Sequence, residues 1–170
     1  MEESTKPTTR EIGIRFGLIS TVIGIVLFLI PALMAQNPFK GVWNWVGTAV
    51  SIGLIIFAHK KFKDDGDGYM SLGQGVGITF WMGLVGTILG GAFTFIYINF
   101  VDPAPFEMML QQNMEEMEKG GSPEQAIEMA QEWTRKLFWP IYVFFGIIGS
   151  VVIGLIVSIF TKKTNPEAEI

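Results

Sequence analysis

The sequence predicts an all-α membrane protein: four transmembrane helices, with an extracytoplasmic amphipathic helical hairpin between the third and the fourth. Two observations lead there. The chain of 170 residues is 49% hydrophobic and only 16% charged, with a mean hydropathy of +0.41, too apolar for a soluble domain unless the apolar residues segregate. They do segregate. Residues 12–34, 43–59, 73–101 and 137–160 hold most of the aliphatic and aromatic side chains, and each block spans or nearly spans a hydrocarbon layer of about 30 Å. The net charge of −4 offers no basic surface, which sets nucleic acid aside as a partner. Cysteine is absent, so disulfides, a thiolate nucleophile and Cys-ligated metals are excluded.

The tail at 1–11 is polar, and Lys6, Arg10 and Arg15 precede the first long apolar run. From Phe16 to Met34 that run exceeds a signal-peptide core, and no A-x-A site follows it, so it is expected to stay as the first span. The second span, 43–59, opens with Trp43 and Trp45, whose indoles suit the membrane interface. It is expected to stop at His59, before Lys60, Lys61 and Lys63, leaving a cytoplasmic loop over 60–72. The third span, 73–101, has no ionisable side chain and carries Gly83, Gly86 and Gly90 at helix-packing spacing. The fourth, 137–160, places Gly146, Ser150, Gly154 and Ser158 every four residues, which makes that stripe the expected partner of the third-span glycines. A tail over 161–170 follows.

Orientation comes from lysine and arginine. With the N-terminus inside, Lys6, Arg10, Arg15, Lys60, Lys61, Lys63, Lys162 and Lys163 fall on the cytoplasmic side, against Lys40, Lys119, Arg135 and Lys136 outside. The eight-to-four asymmetry predicts that both ends lie in the cytoplasm.

Segment 102–136 is too patterned for a linker. Phe106, Leu110, Met114 and Met117 recur at three- and four-residue spacing among glutamates, and Gly120-Gly121 stops the run. Ser122-Pro123-Glu124-Gln125 then reads as a capping box opening a second helix, with Ile127 and Trp133 on its apolar side, which is free to run on into the fourth span. The apolar residues of this hairpin need a surface to cover: the bundle top, the lipid interface or a partner.

Chemistry is hard to place anywhere. Arg15 and His59 lie at expected span ends, where interfacial solvation accounts for them. The serines and threonines within spans, Thr79, Thr87 and Thr94 among them, are expected to bond their own helix or a neighbour. Asp64-Asp65-Gly66-Asp67-Gly68 resembles a calcium loop, but the register puts Lys63 and Gln74 at ligand positions. No hydrolase, zinc-protease or P-loop motif occurs. We therefore assign no catalytic, cofactor-binding or metal-ligating residue.

Gly68-Tyr69-Met70-Ser71-Leu72-Gly73-Gln74-Gly75, Ile96-Tyr97-Ile98-Asn99-Phe100-Val101-Asp102-Pro103, the acidic 122–130 helix and the closing Ile159-Phe160-Thr161-Lys162-Lys163 together resemble the DUF4199 family. Those are small four-helix membrane proteins of unknown function, found chiefly in Bacteroidota. The resemblance implies topology and an inner-membrane home, and no activity. The expected function is non-enzymatic: contact with the lipid bilayer, and helix packing as a homo-oligomer or as an accessory subunit of an envelope complex. The alternative is a small channel or transporter for a neutral solute.

Overall fold

The computed structural model describes residues 6–165; the outermost parts of both expected tails, 1–5 and 166–170, lie outside them. The described chain is helical: α1 (Thr9–Leu33), α2 (Val42–Asp65), α3 (Leu72–Ile96, continued by a wider π-helical segment at Tyr97–Val101), α4 (Ala104–Lys119) and α5 (Glu124–Thr161). All of these except α4 are long and apolar enough to cross a membrane.

Capping decides several boundaries. The Thr8 hydroxyl accepts from the Glu11 N–H at 3.1 Å to start α1. Ser71 and Gln74 form a reciprocal capping box at α3: the Gln74 N–H donates to Ser71 Oγ at 3.2 Å, and the Ser71 N–H to Gln74 Oε1 at 2.7 Å. The capping box expected at Ser122 and Gln125 does not form. Pro123 takes the N-cap position in an extended conformation, and no side chain caps α5. Nor does α2 stop at His59. It continues to Asp65, because Phe62 packs into the core and Lys61 pairs with Asp65 one turn on, at 2.7 Å. The second hairpin arm and the fourth span are one helix of 38 residues, with Pro140 exposed within it.

The packing is centred on α3, with α1 against one side and α5 against another. We call the end at which α1 begins and α5 stops the terminal end, and the other the hairpin end. At the terminal end all four spans meet around Ile12, Ile55, Ala58, Phe62, Met70, Ile78, Met82 and Val157. Met70 and Lys163 exchange backbone hydrogen bonds of 2.8 and 2.9 Å, clasping the α2–α3 turn to the end of α5. At the hairpin end a smaller cluster of Ala32, Tyr97 and Ile98 is flanked by Phe28, Phe93, Phe106 and Trp139. The buried residues of α2 all belong to its second half: Ile55, Ala58, His59 and Phe62. Its first half leans free of the core.

Glycines set the two seams on α3. A Cβ at Gly13 would lie 2.7 Å from the Ile78 carbonyl oxygen, and one at Gly17 3.2 Å from Met82 Cα, so α1 touches the α3 backbone itself. On the α5 side a Cβ at Gly154 would lie 2.5 Å from Thr79 Cβ, and one at Gly146 2.7 Å from Thr87 Oγ1. Gly83 receives Ser150, and Gly75 receives Ser158. Gly86 and Gly90, expected at the crossing, are not in it: Gly86 faces open space and Gly90 meets only the Tyr142 hydroxyl at 4.0 Å. The interlock runs one helical face away, with hydroxyl side chains seated over glycines on both helices.

Gly13→Leu and Gly154→Leu should each lower the unfolding midpoint in detergent, by the equivalent of about 1–3 kcal/mol for overpacking. Gly53→Leu, at a position with open space around it, should leave the midpoint unchanged. Equal midpoints for all three would contradict the close-approach seams.

Candidate functional site

Three places concentrate polar groups. The first is His59, expected at a solvated span end and found fully buried, with 0% of its surface exposed. It ties three helices. A carbonyl only accepts, so His59 Nε2–H donates to the Gly75 oxygen, at 3.0 Å. In the neutral ring Nδ1 then accepts from the Thr161 hydroxyl at 2.8 Å, and that single proton is shared with the Val157 carbonyl at 2.9 Å. Thr79 Oγ1 also donates to the Gly75 oxygen, at 3.0 Å, and Lys63 Nζ reaches the Thr161 carbonyl at 2.8 Å. Ser158 Oγ, seated beside Gly75, is buried without a partner. The sequence did carry a signal for this knot: Ile55, His59 and Phe62 share one helical face by spacing, and the outer two are plainly core residues.

The second place follows from the lean of α2. Its free half leaves a cleft of about 500 Å³ facing α1, α3 and α5, with Phe39 and Trp43 at the hairpin end. A second lobe of about 280 Å³ shares Ser20, Ser51, Gly86 and Gly146 with it, and its lining includes Thr79, Thr87, Ile55 and Met82. Gly86 and Gly90 therefore line the cleft rather than a helix crossing. Neither lobe has a charged lining residue.

The third place is the hairpin. Leu110, Met114, Met117 and Ile127 line a space of about 430 Å³ between α4 and α5, so these apolar residues face one another across the two arms. Phe106 stacks edge-on to Phe138, with ring centroids 4.9 Å apart, while Trp133 points outward and is 55% exposed. Asn37 donates to Gln112 at 2.7 Å and Lys40 to Glu116 at 2.8 Å, fastening α4 to the α1–α2 turn. Arg135 makes two parallel bonds to Glu107, of 2.8 and 2.7 Å. Those bonds hold the Glu107 carboxyl below its ordinary value of 4.5. Among the described residues no group of three or more His, Asp or Glu side chains is placed to hold a metal ion.

Helices of this length and hydropathy, packed around one central span, define the class: an all-helical, multi-pass membrane protein. Within that class the chain belongs to the DUF4199 family, described as a protein of unknown function, whose family model matches residues 15–163. No curated protein matches the chain, and no solved structure does.

A carboxyl with a depressed folded-state value stabilises above its unfolded value, and the contribution disappears as pH falls through the folded one. Glu107 is half exposed, so its share is below about 1 kcal/mol. Below about pH 4.5, amide hydrogen exchange in α4 should therefore rise modestly while α3 stays protected. Glu107→Gln should show the raised exchange already at neutral pH and lose its acid sensitivity. Acid-induced opening that persists in this variant would assign the effect to another group.

Proposed function

We propose that this chain is a non-enzymatic inner-membrane protein, with both ends in the cytoplasm and the hairpin outside, that binds a protein partner through the hairpin as an accessory subunit of an envelope complex. The observation that carries this reading is the continuity of α5. The second hairpin arm and the fourth span are a single helix, so a partner held at the hairpin is linked through one element to the His59 knot at the terminal end. At about 1.5 Å per residue α5 is longer than the hydrocarbon layer, and its first turns project beyond it.

Charge points to the kind of partner. Residues 102–136 contain eight carboxylates against three basic residues, which disfavours an anionic lipid surface and favours a basic protein surface. Glu118, Glu124 and Glu128 form no ion pair among the described residues and stand near exposed Met129 and Trp133 in the chain. Conduction of a neutral solute is the weaker reading, because buried Ile55 and Met82 stand at the inner end of the cleft where a path would have to continue.

Compartment-specific reporters fused after Lys63, Gly121 and Lys163 should report cytoplasm, periplasm and cytoplasm; a periplasmic signal at Lys63 would overturn the orientation. A photo-crosslinking residue at Met129 or Trp133 of the full chain in native membranes should give one discrete heteromeric adduct, diminished when Glu118, Glu124 and Glu128 are changed to Lys. An adduct of twice the chain mass, or none at either position, would contradict the accessory-subunit reading.

A further inference from the structure

Hydroxyl groups inside membrane helices ordinarily return to their own backbone, one turn back. Thr21, Thr48, Ser51 and Thr79 do so, donating to Gly17, Asn44, Gly47 and Gly75 carbonyls at 2.8, 2.9, 2.8 and 3.0 Å. Thr87 and Thr94 do not. They are 8% and 6% exposed, line the two lobes of the cleft beside α2, and make no hydrogen bond with any described residue. The corresponding carbonyls belong to Gly83 and Gly90 of the same helix, so the usual partner is present and is not taken. The Tyr142 hydroxyl, which reaches to 4.0 Å from the position a Cβ on Gly90 would occupy, and Ser20 are likewise without a bonded partner.

These groups form a row. Thr87 and Thr94 are two turns apart, about 10 Å along α3, and Gly90, where the Tyr142 hydroxyl approaches, lies between them. The cleft volume of about 500 Å³ falls within the range of small-molecule sites, and its hairpin end is aromatic, with Phe28, Phe39, Trp43 and Phe93. A charged ligand is disfavoured, since no lining residue offsets a charge. A bare hydrocarbon would fit the apolar walls and leave the hydroxyls unpaired.

We propose that this cleft is a binding site for an uncharged amphiphile whose polar group carries several hydroxyl or ester oxygens, the chemistry of a neutral glyceride. Its oxygens pair with Thr87, Tyr142 and Thr94, and its chain lies along the apolar walls beside α2. The site is separate from the hairpin and does not depend on the accessory-subunit reading.

Native mass spectrometry of the full chain released from lipid nanodiscs tests this, with 1-monooleoylglycerol as the probe and oleic acid and 1-octadecene as comparators. Saturable binding of the monoglyceride alone is expected. Changing Thr87→Val and Thr94→Val together keeps side-chain shape and should weaken it about tenfold or more. Gly86→Leu adds bulk where a Cβ meets open space and should abolish binding without lowering the unfolding midpoint. Octadecene binding as tightly as the monoglyceride would overturn the proposal. So would binding indifferent to the threonine pair, or no saturable binding to the native chain, which would leave water as the occupant.

Discussion

Two helices must reach α3 closely enough for backbones to touch, and the rest of the structure depends on that. Lipid removes the hydrophobic drive between apolar helices, so cohesion falls largely to van der Waals contact, which loses about a quarter to a half of its strength over a gap of about 0.5–1 Å. Gly13 and Gly17 bring α1 down onto the carbonyls and Cα atoms of α3, and Gly146 and Gly154 let Thr87 and Thr79 settle against α5. The second seam is reciprocal: α3 supplies Gly75 and Gly83 as hollows for Ser158 and Ser150. Small hydroxyl residues opposite glycines fill space that larger side chains would force apart.

The lean of α2 follows from the same constraint. Its glycines at 47 and 53 meet nothing within contact distance, so it has no seam of its own. What holds it is local to the terminal end: the core around Ile55, Ala58 and Phe62, and the His59 bonds to α3 and α5. Near its start, the Trp43 indole donates to Gln36 at 2.8 Å and ties it to the preceding turn. A helix held mainly at one end leaves an opening along the other, and Thr94 of α3 lines it, with Thr87 lining the second lobe beside Gly146. Seam and cleft are two consequences of where the glycines are.

Much of this architecture is legible in the residues. Spans are marked by the exclusion of charge, and the four-residue stripe on α5 does mark a contact face. Which face of α3 receives it is another matter. Gly83, Gly86 and Gly90 are all small, and only the partner's geometry separates the hollow at Gly83 from the open wall at Gly86. The pattern S-x-x-Q occurs twice and caps a helix only at Ser71, because Pro123 lets α5 begin in an extended conformation that Ser122 does not close. His59 was obscured by the lysines after it. Whether Thr87 bonds its own backbone is a matter of rotamer and neighbour, which no spacing encodes.

The most direct measurement is an exchange of partners across the α3–α5 seam. Gly83→Ser places a side chain where Ser150 already sits, and Ser150→Gly empties that space from the other side. Thermal unfolding of the full chain in detergent should show each single change destabilised, and the double exchange, which restores one side chain opposite one glycine, returned close to the native midpoint. Strictly additive losses in the double variant would mean that the two helices do not meet there, and would contradict the central seam.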